Sequence, residues 1–375
     1  MKQLVVIFTL WLVWMPVGAQ KTLTLEECLK LGIENNLSLE GSRNEMRKAK
    51  HLLSENRAKL WPQISAVAGF NDNFNPPVSV TDGSAYGNLY NVTKTLQYNA
   101  SAGLQLQMPL YNQTVYTAVD IARTLNELNR LSYEKAREDL MMQISKMYYL
   151  GQNTMEQLTL IQENMVRLRE LRDITLAFFD NGMAMEVDVK RVNINLENQQ
   201  VQYDNAKSML VQQLNLLKYV MDYPADEEIT LTPVDTERIQ SASLTGLRGD
   251  LYELQLLQSQ EKLAGQQKDL IRQGYLPSLT LTGSWMYSAY TDKARHWFHS
   301  GPSNHWYPST GLGITLRVPI FDGFDKRARI RKAQIDQENA RLNYENTLKN
   351  MQTQYLNATN ELMNNQRNFK KQKDY

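Results

Sequence analysis

Between Ala100 and Met108 the side chains alternate. Ala100, Ala102, Leu104, Leu106 and Met108 share one face, and Ser101, Gly103, Gln105 and Gln107 share the other. A period of two predicts a strand with one apolar and one wet side. Three more segments repeat the pattern. Leu312, Ile314, Leu316 and Val318 oppose Gly311, Gly313, Thr315 and Arg317. Leu279, Leu281, Trp285 and Tyr287 oppose Ser278, Thr280, Thr282 and Ser284. Ile64, Ala66, Ala68 and Phe70 oppose Ser65, Val67, Gly69 and Asn71, more weakly. Strands of about 9–12 residues suit a tilted membrane crossing. Taken alone, the same alternation also suits a soluble sandwich buried on one face.

Between the strands the period changes. Residues 112–179 hold no proline and one glycine, Gly151, which predicts a single helix about 100 Å long at 1.5 Å per residue. Asn181-Gly182 reads as its C-terminal stop. Beyond it, Val189, Leu196, Tyr203, Leu210 and Leu217 recur every seven residues, and Leu348, Tyr355, Leu362 and Phe369 keep the same step. A sustained seven-residue step implies long helices wound on partners. The other faces are rich in amides, as in "NLENQQVQYDN". Helices wet on both broad sides suit the wall of a water-filled tube, and equally a solvated coiled coil that encloses nothing.

The pattern occurs twice. "AGLQLQMPLYNQ" parallels "GLGITLRVPIFDG", and residues 37–69 parallel 251–283, with Leu39 to Pro62 and Leu254 to Pro277 both 23 residues apart. Each half therefore reads helix, proline, strand, loop, strand, proline, helix. The boundaries expected are a signal segment at 1–19, a first repeat at 20–224, a connector at 225–245 and a second repeat at 246–375. Residues 222–245 hold two prolines and little heptad pattern, as a connector would.

Composition narrows the setting. The 375 residues carry 41 basic and 40 acidic side chains, so nothing points to nucleic acid. Mean hydropathy is −0.49, and beyond the N-terminus no run of about 18 apolar residues predicts a spanning helix. Lys2, the apolar stretch Leu4 to Met15 and Val17-Gly18-Ala19 read as an export signal. Cys28, the single cysteine, leaves no internal disulfide to form. For an exported chain the alternating strands gain a second reading, as membrane strands. Long loops rich in Asn, Gly and Ser join the paired strands. Trp285, Tyr287, Tyr290, Trp297, Trp306 and Tyr307 gather near one strand end like an interfacial girdle. Four strands cannot close a barrel and open edges are not tolerated in lipid, so several chains must share one barrel. Three chains would supply twelve strands.

No catalytic constellation is legible. His296, His299 and His305 share a loop with Trp297 and Trp306, but Asp292 is the only carboxylate nearby, and a solvated or interfacial loop explains them better than a metal site. There is no phosphate-cradling glycine loop and no nucleophile elbow. Neither an enzyme nor a cofactor is expected.

The assembled pieces resemble the TolC-like outer membrane efflux proteins of Gram-negative bacteria. The likeness rests on the repeat, on the junctions "LWPQISAVAGF" and "YLPSLTLTG", and on the returns "MPLYNQ" and "VPIFDGFDKRARI". Pro62, Pro109, Pro277 and Pro319 mark these helix–strand joins. Phe179, Gly182, Asp188 and Val189 fit the family pattern F-x-x-G-x-x-x-x-x-D-V. The resemblance implies a mainly helical chain with four antiparallel strands, forming with two copies a 12-stranded barrel in the outer membrane and an α-helical tunnel reaching into the periplasm. It implies that Ala102, Leu104, Leu106, Leu312, Ile314 and Leu316 face outer membrane lipid. It implies that Asn181, Gly182 and Met183 stand where a periplasmic adaptor docks, linking the homotrimer to an inner-membrane transporter. Phe179 and Asp188 are expected to be structural near that tip. The family role implied is a passive conduit for efflux or type I secretion. A periplasmic coiled-coil scaffold or adaptor with a small β-domain is the alternative. One departure stands out. Gly182 and Pro224 lie 73 and 115 residues beyond Pro109, and the same steps from Pro319 pass Tyr375. The second repeat is thus expected to lack its last helix, as in a truncated form of a longer protein.

Overall fold

A computed structural model describes residues 21–82, 87, 90–234, 251–292 and 306–373. The expected signal segment at 1–19, the histidines at 296, 299 and 305 and Trp297 lie outside them. In chain order the elements are β1 (Lys21–Leu23), α1 (Leu25–Asn35), α2 (Leu37–Ala58), β2 (Gln63–Asp72), β3 (Val78–Asp82), β4 (Tyr90–Lys94) and β5 (Tyr98–Tyr111). Then follow α3 (Gln113–Asp180), α4 (Glu186–Met221), β6 (Ile229–Leu231), α5 (Tyr252–Gln273), β7 (Ser278–Thr291), β8 (Trp306–Arg317) and α6 (Asp325–Lys373). No described helix is long and apolar enough to cross a membrane. The chain forms two compact units, one of Met1–Glu45, Ser132–Arg248 and Leu356–Tyr375, the other of Met46–Leu131 and Gly249–Tyr355.

The first unit is built on a core the periodicity does not reveal. β1 pairs in parallel with β6, Leu23 opposite Leu231. Leu23, Cys28, Ile144, Leu217, Met221 and Leu231 are fully buried together. The connector expected at 225–245 thus contributes a strand, because Ile229 and Leu231 alternate inward with Thr230 less covered between them. Two polar side chains reach the core backbone. Tyr148 Oη donates to the Leu23 carbonyl at 3.2 Å, and Gln152 Nε2 donates to the Thr232 carbonyl at 2.6 Å. Thr24 and Glu27 form a reciprocal capping box at the start of α1. Asn36 ends α1 and starts α2, its Oδ1 accepting from Leu39 N at 2.9 Å while its Nδ2 donates to the Val220 carbonyl at 2.8 Å.

α4 packs on α3 along the seven-residue comb. Leu196 and Tyr203 lie against the buried Ile161, Met165 and Ala206, and Leu217 reaches the main core. Val201, Met209 and Val211, off the comb, are exposed.

The second unit holds a four-stranded antiparallel sheet in the order β2-β5-β7-β8. All four expected strands are present, but longer. β5 runs on to Tyr111 and β8 starts at Trp306. The loop after β2 is not wholly irregular, since β3 and β4 pair as a hairpin. α5 and α6 pack together, Lys268 Nζ donating to Gln337 Oε1 at 2.8 Å.

Candidate pore wall and helix turn

Register decides what the sheet presents. Residues directly opposite in neighbouring antiparallel strands point to the same side. Ala66 opposes Leu104, Leu104 opposes Trp285, Leu106 opposes Gly283, and Gly283 opposes Leu312. Met108 opposes Leu281, Leu281 opposes Ile314, and Leu279 opposes Leu316. Every apolar row identified strand by strand therefore falls on one face. The opposite face carries Gln63, Ser65, Gln105, Gln107, Thr282 and Ser284, interrupted by Val67 and Met286. No position from 100 to 108 is buried, and both faces are open within the chain. Leu312, Ile314 and Leu316 are 78%, 64% and 63% exposed. An apolar face this contiguous marks a surface made for lipid or protein.

Aromatic residues bracket that face. At the loop end Phe70, Tyr98, Trp285, Tyr287 and Trp306 fall on its register, Phe70 stacking on Tyr98 at 6.1 Å and Trp285 meeting Tyr287 edge-on at 5.6 Å. Tyr290 and Tyr307 point to the other side, which corrects the single girdle expected from sequence. At the helix end Tyr111 opposes Leu279, while Trp61, Phe321 and Phe324 stand exposed at the joins. From the Trp306 level to the Leu316 level, β7 advances ten residues. That is about 34 Å along a strand, or about 25 Å of height at membrane-barrel tilt. The helix-end aromatics, and the pairing of Phe70 with Tyr98, escape a search for one cluster. Aromatics at both limits of each period-two run are the signal that finds them.

Prolines set the joins. Trp61 N donates to the Ala58 carbonyl at 3.0 Å, and Leu276 N to the Gln273 carbonyl at 2.9 Å. Each closes a helix directly before Pro62 or Pro277, where the pre-proline residue disfavours helical backbone. Pro109 does not end its strand, contrary to the sequence reading. β2 pairing stops at Gln107, so Pro109 owes no bond on that side, and β5 continues through a register shift between Pro109 and Tyr111. Three residues past each later proline a side chain caps the returning helix. Asn112 Oδ1 accepts from Thr114 N at 3.1 Å, and Asp322 Oδ2 from Lys326 N at 3.3 Å. Lys326 Nζ also lies 2.9 Å from Asp322 Oδ2, and this pairing holds the Asp322 carboxyl below its ordinary range.

The helix turn belongs to the first unit. Gly182 has φ +71°, its N–H donates to the Phe179 carbonyl at 2.9 Å, and Met183 N–H donates to the Phe178 carbonyl at 2.8 Å. This paired bonding is a Schellman end, which needs a left-handed residue at Gly182. Asn181 Nδ2 donates to the Ala177 carbonyl at 2.7 Å. Asp188 Oδ2 accepts from Met185 N at 3.2 Å, so the carboxylate caps α4 near the positive end of its dipole. Met183 and Met185 are 69% and 72% exposed, and Phe179 is also exposed. Among the described residues no group of three or more His, Cys, Asp or Glu could hold a metal ion.

A sheet with one apolar and one amide-lined face, joined by proline hinges to long helices, is the arrangement a membrane β-structure with helical extensions requires. The sequence profile of the outer membrane efflux protein family matches residues 29–221 and 252–374, and the chain belongs to that family. Membership places it in the outer membrane, and its relatives are efflux channels, not enzymes. The outer membrane protein TolC of Vibrio cholerae is 23% identical over 325 residues, covering 83% of this chain and 68% of that protein. The probable efflux pump outer membrane protein TtgC of Pseudomonas putida is 22% identical over 336 residues, covering 86% and 65%. The chain thus spans about two thirds of the length of these relatives. The fold is shared with solved structures. VceC of Vibrio cholerae superposes with TM-score 0.68 at 14% identity, covering 86% of this chain and 75% of that one. CusC gives 0.70 at 16%, covering 87% and 72%.

Proposed function

We propose that the chain is one subunit of a homotrimeric conduit for efflux or type I secretion. Three four-stranded sheets form a 12-stranded barrel in the outer membrane, and α2 to α6 form the wall of a periplasmic tunnel. Ala102, Leu104, Leu106, Leu312, Ile314 and Leu316 contact lipid, and the amide face lines water. Asn181, Gly182 and Met183 form the end that docks on a periplasmic adaptor, which couples the conduit to an inner-membrane transporter. The observation that carries this reading is the register, which sums four separate alternations into one apolar face beside one polar face. A dry core on either side would have argued for a sandwich. The two-repeat division expected from the sequence, with 20–224 and 246–375 as its halves, fits the paired proline joins and helix caps.

The test is reconstitution. Purified protein should insert into lipid bilayers and give discrete conductance. Substituting Met183 with Glu should abolish capture of the adaptor hairpin while conductance persists. Protein that stays monomeric and bilayer-inert would overturn the conduit. Undiminished adaptor capture by the Met183→Glu protein would remove the docking assignment.

A further inference from the structure

The four strands of the sheet contain two charged residues, Asp72 and Arg317. Asp72 lies at the loop end, on the apolar register, where Gln97 Nε2 donates to its carboxylate at 3.0 Å. Arg317 lies at the helix end. It opposes Ser278, and so belongs to the amide and hydroxyl face. It is exposed, and no described residue pairs with it. No carboxylate of the strands shares its face. Two residues before Pro109, at the place matching Arg317 before Pro319, stands the neutral Gln107. Each chain therefore sets one unopposed cation on the wet face, at the rim where sheet gives way to helix.

On an isolated sheet such an arginine is an ordinary solvated edge. Three-fold repetition changes its effect. Symmetry places three guanidinium groups at one height, facing a lumen whose strand wall offers no negative charge. Rings of Arg or Lys favour anions in pores, because fixed charge raises the local concentration of counter-ions. The field is screened within about 8 Å at physiological ionic strength but reaches about 30 Å at 0.01 M. We propose that Arg317 forms a cationic ring at the helix-side rim of the barrel and biases passage toward anions, including anionic cargo. This rests on the trimeric conduit described above.

The experiment compares single-channel reversal potentials in a dilute potassium chloride gradient. Relative to the unmodified protein, R317E should lower the chloride-to-potassium permeability ratio roughly twofold or more, with R317Q between the two. R317K should retain the original ratio. The differences should shrink near 1 M salt, as screening requires. If R317E does not assemble, R317C can be labelled after insertion with cationic or anionic thiosulfonate reagents, since Cys28 is buried. The two labels should move the ratio in opposite directions. A conducting R317E or labelled R317C channel with an unchanged ratio overturns the ring. A wild-type protein that never conducts overturns the conduit itself, which is a different result.

Discussion

Cys28 is fully buried in the core formed by β1, α1, α3, α4 and β6. Burial, aided by the nearby Glu27, pushes its thiol up to about 11 from an ordinary 9.0. The sign follows directly. An unfolded thiol loses its proton near pH 9 while the folded one keeps it to about 11. Its contribution is therefore complete below pH 9 and is lost as pH rises through 11. Native protein at pH 8 should resist maleimide labelling and become fully labelled in denaturant. Fast labelling of the native protein would contradict this burial. Gly182 makes a second case. Nothing lies within 4 Å of where its Cβ would be, so Gly182→Ala meets no clash. It meets only the left-handed backbone, worth roughly 1–2 kcal/mol. Hydrogen exchange across 176–188 should quicken accordingly in Gly182→Ala, and Gly182→Asn should recover part of the protection. The asparagine–glycine pair announced this turn in the sequence, because few residues tolerate its backbone. The paired carbonyl bonds behind it have no sequence signature beyond that glycine.

The strands were legible because a period of two survives any loop length. Leu104, Leu281 and Ile314 could be assigned faces one strand at a time. Their union on one side could not, since register depends on pairing across more than 170 residues, as between Leu104 and Trp285. β1 and β6 escaped detection for the opposite reason. Three residues each are too few to show a period, and their partner lies about 200 residues away. Pro109 misled because a proline ends a strand only where its neighbours need the missing N–H. The faces can be tested against each other. A cationic side chain at mid-bilayer on the lipid side of a barrel costs about 2–4 kcal/mol, whereas the water side accepts it. Leu104→Arg, midway between the two aromatic levels on the apolar face, should therefore block assembly into membranes, and the adjacent Gln105→Arg on the other face should not. Fractionation of cell envelopes, with heat-modifiable migration of the assembled form, reads both. Equal loss in the two variants would mean that neither face is wet.

The proposed trimer depends on the sheet edges. Along the sheet order the strands alternate in direction, so β8 at one edge runs antiparallel to β2 at the other. Copies placed side by side continue the alternation without a break, and an even-numbered barrel closes with no free edge. The long helices and the four strands of the sheet are written into each chain's periodicity, but the proposed closure is not, because its β8–β2 pair would join two different copies. That pairing gives the most direct test of the trimer. Antiparallel partners across a non-hydrogen-bonded position bring Cα atoms to about 4.5 Å, within disulfide reach. Cysteines placed singly along β2 from Gln63 to Asn71, each combined with one along β8 from Gly311 to Arg317, should include pairs that oxidise to a covalent trimer. Productive pairs should recur at every second residue, with the two positions moving in opposite directions along their strands. Cys28 adds no competing thiol, being buried. Crosslinks that stop at the dimer, or that form equally at all positions, would show that these edges do not meet in a closed ring.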